Sequence, residues 1–135
     1  MRAEVRTQLS IIVPNRPGAT ASVCRVLAEN KINIESFMLG DEQKQCVVRF
    51  LVEDPARAKK ALEAAGFFVA AADVLVVEVK NRVGILYEVT NALGKAGVNI
   101  DYAYASDNPH SKCTRDAFKL SELKKGLKVI KKLEK

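Results

Sequence analysis

The chain carries one segment twice. Asn15-Arg16-Pro17-Gly18 opens a stretch that ends in Lys31-Ile32-Asn33-Ile34-Glu35, and Asn81-Arg82-Val83-Gly84 opens one that ends in Gly97-Val98-Asn99-Ile100-Asp101. The offset is 66 residues from Asn15 to Asn81, and it holds without a gap through Gly18 and Gly84, Val23 and Val89, Leu27 and Leu93, and Ile34 and Ile100. A repeat of this length means two copies of one module rather than one irregular domain. Each copy spans about 65 residues, near the lower limit for a unit that folds alone. The chain therefore divides into a first unit at 1–73 and a second at 74–135.

The module can be read element by element. Thr7 to Val13 alternates at Leu9, Ile11 and Val13, as a half-buried strand does, and Pro14 with Pro17-Gly18 ends it. Ala19, Val23, Val26 and Leu27 fall on one face of a helix that runs to Asn30. Ile32 to Leu39 and Gln45 to Val52 read as strands joined by a polar hairpin loop at Gly40 to Lys44. Asp54-Pro55 gives an N-cap followed by proline at the first helical position, and Gly66 closes that helix. Phe67 to Ala72 is a fourth strand. The order is βαββαβ, which folds as an antiparallel sheet with its helices on one face, the ferredoxin-like arrangement.

Between Phe67 and Val77 only Asp73 is polar, and neither Gly nor Pro interrupts. The fourth strand is therefore expected to run almost directly into Val74–Val79, the first strand of the second unit, joining the units rigidly. The second unit repeats the pattern through a helix at Ile85–Ala96, a strand at Val98–Ala105 and a more polar strand at Cys113–Leu120. Its last helix is capped by Ser121 and weakened by Gly126, by about 1 kcal/mol relative to Ala. No equivalent of Phe67–Ala72 follows, so Val74–Val79 is expected to be covered by the partner unit or by another subunit, because a bare apolar edge invites aggregation.

The motif Leu9-Ser10-Ile11-Ile12-Val13-Pro14-Asn15-Arg16-Pro17-Gly18-Ala19-Thr20 with Ile32-Asn33-Ile34, and its second copy around Asn81-Arg82-Val83-Gly84-Ile85-Leu86 with Val98-Asn99-Ile100, resembles the ACT domain. The resemblance covers residues 6–133 and suggests a small stand-alone protein of two ACT units. It implies an α+β protein of two tandem ferredoxin-like units, the second lacking its last strand. It further implies a non-catalytic regulatory protein that binds an amino acid or similar small carboxylate at an interface between units. The site positions carried over are Asn15, Arg16, Pro17, Gly18, Ala19, Asn33 and Ile34, and Asn81, Arg82, Val83, Gly84, Ile85, Asn99 and Ile100.

The chemistry of these residue types agrees. A Gly at a strand-to-helix turn serves a tight turn, a close backbone approach to a ligand, or both. Free N–H groups at a helix N-terminus suit a carboxylate. Arg16 or Arg82 supplies either a bidentate clamp or a solvated charge. Asn15 or Asn81 offers a side-chain carbonyl to an amino group. The first unit is the better-formed repeat, since the second has a polar third strand and a missing fourth.

Other chemistry is poorly represented. There is no phosphate-binding P-loop, no dinucleotide glycine fingerprint and no paired-carboxylate or nucleophile–base constellation, so neither a catalytic role nor a cofactor is expected. His110 and Cys113 share a loop but do not make a metal site. The three cysteines, Cys24, Cys46 and Cys113, read as reduced thiols. The net charge of +6 lies wholly in residues 110–135, which hold nine basic and three acidic residues, while 1–109 balance at thirteen of each. With only Phe50 as an aromatic on the strand that would stack bases, nucleic acid is not expected. No apolar run reaches the ~20 residues of a membrane span, and the expected location is cytoplasmic. A homodimer is expected from the small units. The alternative reading is a regulatory or structural subunit docking onto an amino-acid biosynthetic enzyme.

Overall fold

Leu9, Ile11 and Val13 are each at most 3% exposed, whereas Ile12 between them is 63% exposed. That alternation builds the first strand and sets one face of it against a core. The computed structural model describes residues 1–106 and 111–133. Along these the order is β1 (Arg2–Pro14), α1 (Ala19–Glu29), β2 (Ile34–Glu42), β3 (Gln45–Val52), α2 (Pro55–Ala64), β4 (Val69–Lys80), α3 (Ile85–Lys95), β5 (Ile100–Ser106), β6 (Cys113–Leu120) and α4 (Leu123–Leu133). The pairs β1–β3, β2–β3, β4–β6 and β5–β6 are antiparallel.

The chain divides into two compact units. One is Thr7–Ala72; the other joins residues 73 onward to Met1–Arg6. In the first, the strands lie in the order β2-β3-β1-β4, with β4 contributing its residues 69–72. Helices α1 and α2 pack against each other. Val23 and Leu27 of α1 and Ala58 and Leu62 of α2 meet Leu9, Ile11, Val48, Phe50 and Val52 in a single core. Asp54 caps α2 as expected, accepting from the Arg57 N–H at 3.2 Å, with Pro55 in the first turn.

The second unit repeats the plan with α3 and α4, and its core holds Leu75, Val77, Val89, Leu93, Phe118 and Ile130. Even the irregularities repeat. The register of β2 on β3 shifts between Ile34 and Ser36, and that of β5 on β6 shifts between Ile100 and Tyr102. Both helices of the repeat end with a left-handed residue, Lys31 at φ 57° and Gly97 at φ 77°. The next N–H then bonds back into the helix, Ile32 to Leu27 O at 2.9 Å and Val98 to Leu93 O at 3.0 Å. The exchange of Lys31 for Gly97 thus leaves the helix stop unchanged.

Two expectations change and one holds. The hairpin turn is only Gln43-Lys44: β2 continues through Gly40, paired with Val47, to Glu42, paired with Gln45. Gln43 takes the positive φ, 66°, that so tight a turn needs. Strand β4 runs unbroken from Val69 to Lys80, so the fourth strand does pass directly into Val74–Val79. The strand that the second unit lacks is supplied by residues 2–6 of β1, which the boundary at 73/74 assigns to the first unit. The second unit's strand order becomes β1-β4-β6-β5, with Met1 and Ala3 packed on its core. The cover for Val74–Val79 in this unit is therefore a strand of the chain itself. Arg2, Glu4 and Arg6 dilute the apolar signal of that strand, which is why it is faint in the sequence.

Gly126 also has a different meaning from its helix propensity. It is buried in α4, and a Cβ placed on it would lie 2.4 Å from Leu120 Cδ1 and 3.5 Å from Leu93 Cδ2. Glycine is there so that α4 can approach the sheet. Gly126→Ala gains about 1 kcal/mol of helix propensity, but overpacking of a filled core costs about 1–3 kcal/mol. We expect a lower urea midpoint for this variant; a higher one would show that Leu120 moves aside freely.

Candidate functional site

In the second unit, the backbone after β4 turns sharply into α3. The Asn81 N–H bonds to Lys112 O at 2.8 Å, which ties the turn to the residue preceding β6. Gly84 is the N-cap of α3 with φ 89°, and it has no side chain to offer the helix. A Cβ at Gly84 would meet nothing within 4 Å, so it is the left-handed backbone, not crowding, that calls for glycine. Glu88 N–H reaches Gly84 O at 3.0 Å, the first bond of the helical ladder. The N–H groups of Leu86 and Tyr87 come before that bond and have no acceptor within the helix. They form the positive end of the helix dipole.

These residues border an open cleft of about 470 Å³, together with Asn81, Arg82, Ile85, Ala105, Thr114 and Asp116. Arg82 is already engaged. Its guanidinium meets Glu88 Oε2 at 2.7 Å, and this hydrogen bond and charge raise the Arg82 pKa. Val83 is 99% exposed, while Ile85 is buried in the core.

Asp116 is the chemically unusual member, and the sequence reading did not single it out. It sits on β6 opposite Val77 of β4 and Ala105 of β5. It alternates with Phe118 and Leu120, which belong to the core, and is only 6% exposed. Burial pushes its carboxyl pKa above the ordinary value of 3.8. Among the described residues no hydrogen bond or ion pair engages that carboxylate, yet no fully buried side-chain oxygen is left unsatisfied. Its oxygens therefore reach the cleft.

The repeat gives an internal control. Leu9 pairs with Phe50 and Leu75 with Phe118, so β3 and β6 correspond at an offset of 68 residues, from 50 to 118, rather than 66. At that offset Asp116 occupies the place of Val48, and Thr114 that of Cys46. Opposite Asp116 stands Ala105, where Leu39 stands opposite Val48. The first unit fills with apolar side chains the place that the second leaves open and polar. This correspondence was the available signal for Asp116, and the longer β5–β6 connection hides it from a gap-free alignment.

The loop of the first unit is tied to its own hairpin. Asn15 Nδ2 donates to Gln43 O at 3.0 Å and to Asp41 Oδ1 at 3.3 Å, so the side chain holds the β2–β3 hairpin. Arg16, Pro17 and Gly18 are exposed, and Ala19 packs on the core. The strand-start residues lie at the other end of each helix. Asn33 borders a separate cleft of about 430 Å³ with Lys31, Glu35, Glu53, Asp54 and Arg57. Asn99 bonds through its N–H to Ser121 Oγ at 2.9 Å and through Nδ2 to Asp101 Oδ1 at 3.0 Å. Ser121 thus serves β5 rather than α4, which begins only at Leu123. Ile34 and Ile100 pack on their cores. Within a unit, then, Asn81, Arg82, Gly84 and Ile85 come together, and Asn99 and Ile100 do not join them.

Cys24, Cys46 and Cys113 are free thiols. No cluster of metal-ligating side chains occurs among the described residues, and His110 lies outside them. No helix is long and apolar enough to cross a membrane.

Residues 5–109 match the family described as the ACT domain pair. Among solved structures, a protein from Bacteroides thetaiotaomicron is 31% identical, with a TM-score of 0.91 over 98% of this chain and 90% of that one. The regulatory subunit of aspartate kinase from Thermus thermophilus is 17% identical, with a TM-score of 0.71 over 98% of this chain and 97% of that one. The same subunit from Thermus flavus is 20% identical, with a TM-score of 0.67 over 100% and 98%. Among curated protein sequences, none matches this chain.

Proposed function

We propose, for a chain that belongs to the ACT domain family as a pair of ACT units, that it is a non-catalytic regulatory protein binding an amino acid or similar small carboxylate. The observation that carries this reading is the start of α3. There, two N–H groups without a helical acceptor border an open cleft whose polar wall includes Asn81, Thr114 and Asp116. A carboxylate at that point would gain charge-assisted hydrogen bonds and the helix dipole together. Occupancy would favour whichever arrangement of the protein binds the ligand more tightly, since differential affinity is all that a ligand can contribute to an equilibrium.

The test is a thermal-shift screen of the twenty amino acids and their 2-oxo acids. A compound at a hundred times its Kd stabilises the folded state by about 2.7 kcal/mol, a shift of several degrees. A flat screen on folded protein would remove the reading and leave the second one, a subunit that acts by docking onto a biosynthetic enzyme. Support for that alternative is the match to the Thermus regulatory subunits along almost the whole of both chains. A pull-down from native extract that returns no stoichiometric enzyme would count against it.

A further inference from the structure

We infer that the second unit alone carries the ligand site, and that it is built for a zwitterion: the ligand's ammonium group goes to the Asp116 carboxylate and its carboxylate to the N–H groups at the start of α3. This rests on the ligand-binding reading above and narrows it to α-amino acids as against other small carboxylates.

Asp116 stands at a core position of β6. A strand residue between Val77 and Phe118, in register with the core, is where a fold of this kind places an apolar side chain, and the first unit places Val48 there. A carboxylate at such a position costs stability unless a partner neutralises it. Among the described residues that line the cleft, the one cationic side chain is Arg82, and that guanidinium is taken by Glu88 at 2.7 Å. The partner must therefore come from outside the described residues, and a group that fits is a hydrogen-bonding cation. Among the described residues, Asp116 and Thr114 belong to no cluster of side chains that could hold a divalent metal.

The cleft has a second pole of opposite character. Leu86 and Tyr87 N–H groups, with the helix dipole behind them, suit an anion. A molecule that presents an anion to one side and an ammonium group to the other satisfies both. A 2-oxo acid or a dicarboxylate of the same size would satisfy the helix and leave Asp116 without its cation. Such a ligand would also set an acceptor or a like charge against a buried carboxylate.

The first unit keeps the helix start, with Gly18 as the left-handed N-cap of α1, but lacks the acceptor. Its counterparts to Thr114, Asp116 and Ala105 are Cys46, Val48 and Leu39. The repeat has therefore kept the loop twice and the acceptor once.

The experiment is titration calorimetry of wild-type protein with amino acids and the 2-oxo acids of matching side chain, alanine with pyruvate and glutamate with 2-oxoglutarate among them, repeated on Asp116→Asn and Asp116→Val. We expect one amino acid per chain and at least about tenfold weaker binding of its 2-oxo partner, the effect of one charge-assisted hydrogen bond. Both variants should lose that preference, with amino-acid affinity falling about tenfold or more and 2-oxo acid affinity holding or rising. Circular dichroism and thermal melts of the variants separate lost binding from lost folding. The Val variant, which carries the first unit's own residue, guards against failure of the Asn variant to fold. If the amino acid binds but both variants retain full affinity, or if two molecules bind per chain, this inference falls and the ligand-binding function stands. If nothing in the panel binds wild type, both fall together.

Discussion

Asp116→Val should make the protein harder to unfold while removing its response to ligand. Replacing a buried carboxylate that has no partner among the described residues with an apolar side chain of similar size removes a desolvation penalty of about 1–3 kcal/mol. Val48 shows that the same strand position accepts valine facing the core of its unit. The gain should depend on pH. Burial holds the folded-state pKa of Asp116 above the unfolded value near 3.8, so the native state keeps its proton to higher pH than the unfolded chain does. The unfolded state then binds fewer protons, and stability falls as pH rises from about 3.8 through the folded-state pKa. Among the described residues that line the cleft with Asp116, the other charged side chain is Arg82, neutralised by Glu88, and Arg115 beside Asp116 in β6 points to the opposite sheet face. Urea unfolding at a series of pH values checks this. The two proteins should converge at low pH and separate towards neutrality, with the variant the more stable. A variant less stable than wild type at neutral pH would mean that Asp116 makes a stabilising contact in the empty protein. A stabilised but unresponsive variant would show a binding group kept at the expense of the fold.

Removal of residues 1–6 should damage the unit that lies far from them in sequence. These residues cluster with 73 onward, Met1 and Ala3 pack on the core of Leu75 and Val77, and Arg2, Ala3 and Glu4 border a cleft with Val76, Glu78 and Arg115. Deletion exposes the β4 edge in this unit. It forfeits several backbone hydrogen bonds of about 0.5–1.5 kcal/mol each, together with the partial burial of Met1 and Ala3. A loss on the order of 3–5 kcal/mol follows, enough to unfold a small unit of ordinary stability. A bare edge also invites pairing with another chain, so the shortened protein should self-associate. Chemical denaturation and size-exclusion chromatography report the two effects. An unchanged midpoint and elution volume would show that residues 1–6 are dispensable.

Much of this protein was legible in one dimension because it is local. The period-2 alternation of Leu9, Ile11 and Val13, the helical spacing of Val23 and Leu27, the Asp54-Pro55 cap and the 66-residue repeat from Asn15 to Asn81 depend on neighbours in the chain, and the structure reproduces each of them. The family followed from the same features. The turn at Gly84 was also legible, because a left-handed N-cap without a side chain needs glycine.

What the sequence could not decide depends on pairing across space. Whether Gly40 stops a strand is settled by Val47 opposite it, and whether Gly126 weakens a helix or admits it to a core is settled by Leu120. The completion of the second unit by residues 2–6 is a contact over more than sixty residues that no local period encodes. Asp116 is one polar residue among several in the strand Cys113–Leu120, and only cross-strand register aligns it with Val48 and sets it, buried, on the cleft at the start of α3. Side-chain preference and backbone turns are written in sequence neighbours. Desolvation and strand partnership are properties of the surroundings, and only the folded chain supplies those.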